Sequence, residues 1–260
     1  MITKKFLIVF SLLIAIGCEK YDVVIRNGMV YDGNGLPPFL ADVAIKGDKI
    51  ILVNETIAEK GSKEIDAKGL AVAPGFINML SWATTSLIQD GRSLSDIKQG
   101  VTLEVYGEGG SMGPLNDSMK KSNQENAAGY TIDWTTLGEY LESLERRGVS
   151  SNVASFVGAT TLRIHEIGFE DRGPTENELN NMRSLVREAM EEGALGIGSS
   201  LIYAPAFYST TEELIELCKV ASEYGGMYIS HMRSESNQLL EALDELITIA
   251  EKANIPAEIY

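Results

Sequence analysis

Four polar residues arrive together at the end of a short apolar run: Ser230, His231, Arg233 and Glu235 follow Met227, Tyr228 and Ile229. An imidazole can carry a proton near neutral pH or bind a metal ion through one ring nitrogen, and a carboxylate or guanidinium beside it can hold a charged substrate or orient the ring. Gly225 and Gly226 close a helical pattern just upstream, so residues 227–229 read as a buried strand and His231 falls at its end. In a parallel barrel the carboxyl ends of the strands form the active face, which makes His231 a ligand or base candidate. A strand-end histidine also serves structure, and the elements around it must decide.

Those elements alternate between buried runs and amphipathic helices. Residues 175–192 place Leu179, Met182, Leu185, Val186, Ala189 and Met190 at helical spacing, with Thr175 as N-cap and Glu178 completing a capping box. Gly193 stops that helix and residues 195–198 form the next strand. The unit repeats as helix 211–224 before His231, then as helix 235–253 before a last run, 255–260. Upstream, strand 101–106 ends at Gly107-Glu108-Gly109-Gly110-Ser111, and residues 151–157 make another strand. This alternation predicts an α/β fold with a parallel sheet. Counting gives roughly six strands where a closed (β/α)8 TIM-type barrel needs eight, so the expected fold is an incomplete barrel and the chain reads as a portion of a longer protein. Residues 112–148 exceed an ordinary strand-to-helix connection. They hold a polar stretch, 116–129, and a helix near 135–146 with Trp134 at its start, and such an insertion either shapes a pocket or decorates the surface.

The amino terminus differs. Met-Ile-Thr-Lys-Lys, an apolar run from Phe6 to Ile16, then Gly17-Cys18 describe a secretory signal peptide over residues 1–18. Ala15-Ile16-Gly17-Cys18 resembles a bacterial lipobox, which implies cleavage before Cys18, lipidation of its thiol and anchoring in the bacterial cell envelope, at the periplasmic or outer membrane. Ordinary export or an uncleaved anchor are the alternatives. Residues 19–69 carry short alternating runs broken at Asn27-Gly28, at 32–35 and at Gly47-Asp48, which read as a small antiparallel β unit. The larger domain starts at residue 70. Over 260 residues, 44% hydrophobic, the chain can bury a substantial core, and 22 basic against 37 acidic residues leave a net charge of −15, which disfavours nucleic acid as a partner. Of the two cysteines, Cys218 sits among Leu214, Ile215, Leu217 and Val220 and reads as a small buried hydrophobe rather than half of a disulfide.

Four motifs occur in a telling order: Leu-Ala-Val-Ala-Pro-Gly-Phe-Ile-Asn ending at Asn78; Gly100-Val-Thr followed by Gly107-Glu-Gly-Gly-Ser111; Gly193-Ala-Leu-Gly-Ile-Gly198 running on to Pro205; and Gly226-Met-Tyr-Ile-Ser-His-Met-Arg-Ser-Glu235. Together they resemble the N-acyl-D-amino-acid deacylases (D-aminoacylases) of the amidohydrolase superfamily, over residues 21–260. The resemblance implies a distorted (β/α)8 barrel with a small β-sandwich, and zinc at the strand ends activating water against the acyl carbonyl of a small-molecule N-acylated D-amino acid. Carried over by position, His231 is the metal ligand after the fifth strand, and Glu108 stands where the family usually has a cysteine ligand after the second. A carboxylate ligates zinc as a harder donor, and an exposed loop acid is the alternative for Glu108.

Other positions depart from the family. Its His-X-His pair falls on Leu80 and Trp82, neither of which can bind metal, so one zinc ion is expected rather than two. The family's next histidine ligand and its catalytic aspartate fall beyond Tyr260, so no catalytic residue is expected within this chain and the isolated chain is expected to be inactive. Tyr203, Arg233 and Glu235 border the expected substrate; a packed Tyr203, and pairing of Arg233 with Glu235, are the alternatives. His165 is not at a ligand position. The competing function is a degenerate barrel kept as a surface binding lipoprotein.

Overall fold

The computed structural model describes residues 20–260, so the leader and Cys18 lie outside the described residues. The chain divides into two compact units, one ending at Pro74 and one beginning at Gly75.

The first unit is one five-stranded sheet built from β1 (Tyr21–Val30), β2 (Phe39–Lys46), β3 (Lys49–Asn54), β4 (Gly61–Asp66) and β5 (Ala71–Val72). The strand order is β3-β2-β1-β4, with β5 also on β1. β2 runs antiparallel to β1 and β3, whereas β4 and β5 run parallel to β1, so the sheet is mixed rather than antiparallel. Asn27-Gly28 is not a turn. β1 runs straight through it with a bulge that shifts the register between Ile25 and Gly28, and Asn27 takes φ 60°. An Asn-Gly pair supplies positive φ, and a bulge uses that as readily as a hairpin does.

A polar knot stiffens this sheet. Arg26 donates from Nε and Nη2 to both Glu64 oxygens at 2.7 and 2.8 Å, and from Nη1 to Asp42 at 3.0 Å. Hydrogen bonding to Arg26 holds the Glu64 carboxyl down at about 2. For Asp42 burial pushes upward, but the N–H groups of Asn27 and Ile57 together with Arg26 outweigh it and keep the group below its ordinary value. Both folded values lie below the unfolded ones, so this stabilisation is complete above the ordinary carboxylate range, about 4, and drains away as the pH falls toward about 2. Acid titration followed by circular dichroism is expected to show a shallower loss of stability across that window in Glu64→Gln than in the native chain; identical curves would count against the knot.

The second unit lays out its strands as β6 (Phe76–Asn78), β7 (Val101–Tyr106), β8 (Asn152–Ser155), β9 (Val157–Gly158), β10 (Gly196–Ser200), β11 (Met227–His231) and β12 (Ala257–Ile259). All neighbouring pairs are parallel. β8 and β9 are one strand interrupted at Phe156: the Phe156 N–H donates to Tyr106 O and the Leu195 N–H to Ser155 O, which joins the β6-β7-β8 and β9-β10-β11-β12 sheets. Six strand positions of a parallel α/β barrel result, as the alternation of runs predicts.

Short helices α1 (Ser86–Gln89) and α2 (Leu94–Ile97) precede β7; α3 (Asp117–Asn126) and α4 (Leu137–Arg147) fill the long insertion; α5 (Ala159–Glu166), α6 (Glu176–Glu191), α7 (Thr211–Glu223) and α8 (Leu239–Ala253) follow their strands. The capping box of α6 forms as expected, Thr175 and Glu178 exchanging hydrogen bonds with each other's backbone. The polar stretch after Asn116 becomes α3 because Asn116 caps it, accepting from the Met119 N–H at 2.9 Å. The core lies between strands and helices: Val157, Ile197 and Tyr228 face outward onto Leu162, Met182, Val186, Leu214, Leu217 and Ile249. Val105, Phe156 and Ile229 fill the opposite, inner face. Cys218 is fully buried in the outer layer, where burial pushes its thiol far up, as suits an inert apolar filler.

Candidate functional site

β7 is fixed before it delivers Glu108. Glu104 is fully buried and accepts from three hydroxyls: Ser81 Oγ at 2.6 Å on Oε2, and Ser93 and Ser151 Oγ, each at 2.9 Å, on Oε1. A buried carboxylate costs several kcal/mol unless its lone pairs are met, and among the described residues hydroxyls rather than a cation meet them, so three separate segments are drawn onto one strand. Past Tyr106 the chain turns at Gly107 (φ +105°) and Gly109 (φ +76°). A Cβ at Gly107 would sit 2.4 Å from Phe156 O, and one at Gly109 2.3 Å from Ser200 Oγ. Only glycine permits both the backbone conformation and this approach, which holds Glu108 against the neighbouring strand ends.

β11 delivers the partner. Ile229 faces the inner layer and His231, two residues on, shares its side of the strand. Glu108 Oε1 lies 2.8 Å from His231 Nδ1, and Glu108 is only 8% exposed. The structure thus brings together the two side chains that sequence position nominates as ligands. His231 Nε2 is buried and makes no hydrogen bond, although Glu235 Oε1 stands 3.2 Å away, at ion-pair distance but out of line. Tyr203 is 58% exposed, not packed, and meets the imidazole edge-on with ring centroids 5.4 Å apart at 83°. Burial, with the Glu108 charge second, pushes the Tyr260 phenol upward.

A pocket of about 250 Å³ opens beside Glu108, lined among others by Ser81, Trp82, Ser111, Met112 and Asn123. Asn123 belongs to α3, so the insertion helps to shape this pocket. A larger cavity, about 580 Å³, lies at the start of β8 beside α4, remote from His231. Its Glu139 and Glu192 are occupied by the backbone N–H groups of Thr135, Thr136 and Gly138, so it does not define the site.

Leu80 and Trp82 are exposed and offer no donor to a cation. Arg233 does not pair with Glu235. It makes a two-pronged contact with Glu245 of α8, both at 2.8 Å, and donates to Phe207 O and Ser209 O at 2.6 and 2.9 Å. The bond to Glu245 raises its pKa above the ordinary value, and with four donors engaged it braces the loop instead of facing the Glu108–His231 pair. α8 begins at Leu239, later than the sequence pattern suggests, because Ser234 accepts from the Ser236 N–H in a local turn; this leaves Glu235 on a loop. His165 bonds its own neighbour Glu166 at 2.8 Å on α5, clear of the site.

Sequence reasoning passed over Glu104, Glu245 and the buried pair Arg163–Glu213. For the last, a charged residue on the core side of a helical pattern was the available signal.

Two oxygen and nitrogen donors facing each other at strand ends fit a zinc ion's ligand chemistry, and the unpartnered Nε2 shows a ring whose hydrogen bonding is incomplete without a further partner. They supply part of a site. Among the described residues, no three His, Cys, Asp or Glu side chains are gathered to hold a metal.

Parallel strands in register, helices on one face and these polar groups at the carboxyl ends make this the amidohydrolase-type α/β barrel, an enzyme fold. Within that class the chain matches the D-aminoacylases at family level. It is 33% identical over 245 residues to the D-aminoacylase of Alcaligenes xylosoxydans xylosoxydans, covering 93% of this chain and 50% of that protein. A solved D-aminoacylase, described as having a binuclear metal centre with one-metal activation and second-metal attenuation, superposes with a TM-score of 0.81 at 32% identity, covering 92% of this chain and 51% of that one. The N-acyl-D-glutamate deacylase of Bordetella bronchiseptica, complexed with zinc and a phosphonate mimic of the tetrahedral intermediate, gives 0.81 at 27% identity with the same coverage. The chain spans about half the length of the curated relatives it matches. No protein-family model matches it.

Proposed function

We propose that the protein carrying this chain is a zinc-dependent hydrolase of linear amides that deacylates N-acyl-D-amino acids, with Glu108 and His231 as two ligands of one zinc ion. The observation that carries this reading is the 2.8 Å approach of a buried carboxylate to a strand-end imidazole. Zinc in such a site supplies a Lewis acid that polarises the acyl carbonyl and makes water nucleophilic near neutral pH. Glu108 and His231 bind; the glycine turn keeps them at the strand ends; Trp82 and Met112 give the pocket apolar walls for an acyl group, with Ser111 and Asn123 as polar contacts. Tyr203, exposed beside the imidazole, borders the substrate.

The full-length protein is expected to purify with close to one zinc per chain and to release amino acid from N-acetyl-D- but not N-acetyl-L-substrates. Full activity in zinc-free enzyme would overturn the proposal. Exposed Leu80 and Trp82 at the His-X-His positions favour one specific alternative, a barrel that binds N-acylated amino acids without cleaving them; ligand binding without product would establish it. We further propose that lipidation at Cys18 anchors the protein in the cell envelope, supported by Ala15-Ile16-Gly17-Cys18. Cys18→Ala should move it from the membrane to the soluble fraction, and an unchanged membrane fraction would oppose this.

A further inference from the structure

His231 Nε2 is a buried nitrogen without a hydrogen bond, and the carboxylate nearest to it has nothing else to do. Glu235 makes no side-chain hydrogen bond among the described residues, its carboxylate is 56% exposed, and its Oε1 is 3.2 Å from Nε2. Arg233, two residues away, is held by Glu245, Phe207 and Ser209, so it does not neutralise Glu235. Tyr203 presents a ring edge to the imidazole, and Glu108 occupies the other nitrogen. The ring therefore stands between two carboxylates, a buried one at Nδ1 and an exposed one at Nε2.

The two nitrogens cannot be used alike. A nitrogen that binds a cation gives its lone pair and carries no proton, so the imidazole's one remaining proton must sit on the other nitrogen, where it needs an acceptor. We propose that Glu235 is a positioning residue: it accepts the Nε2 proton of His231 and so leaves Nδ1, the nitrogen facing Glu108, free to bind the cation. A swing of its exposed carboxylate closes the misalignment. With its single proton held on Nε2, the neutral ring offers the Nδ1 lone pair to the cation, so no N–H bond is broken when the cation binds. This inference rests on the reading of Glu108 and His231 as ligands.

Histidine-selective 15N labelling of the full-length protein reports on His231, whose signal is assigned by its loss in His231→Asn, with His165 as an internal control. Zinc is titrated into the full-length protein with the native residue, Glu235→Ala or Glu235→Gln at a pH of about 8, where an ordinary imidazole is neutral. With zinc, native His231 is expected to carry its proton on Nε2. In chelator competition Glu235→Ala should bind zinc about 10- to 100-fold more weakly, with Glu235→Gln, which keeps an acceptor oxygen, recovering most of the loss. Equal affinity in Glu235→Ala, or a zinc-bound ring protonated on Nδ1, overturns the inference alone. Full-length protein that takes up no zinc overturns the ligand reading together with it. Because Glu235 is exposed, both variants should fold, which circular dichroism checks.

Discussion

In a Glu108→Ala variant of the full-length protein, zinc content should fall from about one ion per chain to a small fraction of that, and amide hydrolysis with it. Glu108 is one of the two groups that meet at the strand ends, and its carboxylate faces His231 Nδ1 directly. Removing it leaves a single imidazole where several donors must converge. Stability should suffer much less, by about 1–3 kcal/mol, since the loss is one buried hydrogen-bond partner. Glu108→Cys separates ligation from packing. It puts back the donor type found at this position in the family, and it should keep zinc where alanine does not. Atomic absorption on purified protein measures both, and retention of zinc by Glu108→Ala would remove Glu108 from the ligand set.

Arg163→Ala should cost about 3–5 kcal/mol of folding stability, the range for stranding one partner of a buried ion pair. Arg163 and Glu213 are each essentially inaccessible, joined at 2.9 Å, and Arg163 also donates to the carbonyls of Glu170 and Arg172. Burial already pushes the Glu213 carboxyl upward, against the pull of Arg163 and the hydroxyl of Ser209. Without Arg163 that burial is uncompensated. The double variant Arg163→Met, Glu213→Leu should lose much less than the single one, because no lone charge is left inside. Urea denaturation compares the two. The result bears on the site as well: Ser209 touches Glu213 with its hydroxyl and Arg233 with its carbonyl, so α5, α7 and the loop after His231 share one polar seam.

What the amino-acid sequence makes legible here is whatever depends on local periodicity. The α6 capping box, the strand before His231 and the strand ending at Gly107 are stated by residues within a few positions of each other, and they form where expected. Asn27-Gly28 shows the limit of local signals, because positive φ is common to a turn and a bulge, and only pairing with β2 distinguishes them. Partners distant along the chain are hidden for a different reason. Nothing near Arg233 announces Glu245, and nothing near Glu104 announces Ser81, Ser93 and Ser151; these contacts exist because the folded sheet and helices bring the segments together. The meeting of Glu108 with His231 is of that kind too, and position within a resembling family, not pattern, nominated it.

Glu104 stands four residues before Glu108 on the same run of chain, and its three hydroxyl partners come from the loop after β6, the approach to α2 and the start of β8. Those serines answer to one carboxylate, so changes at Ser81, Ser93 and Ser151 are not independent perturbations. Deleting the first raises the charge's demand on the remaining two, and the second deletion then costs more than it would alone. Mutational tolerance in this part of the barrel is therefore a property of the trio, and a survey of single substitutions would overrate it.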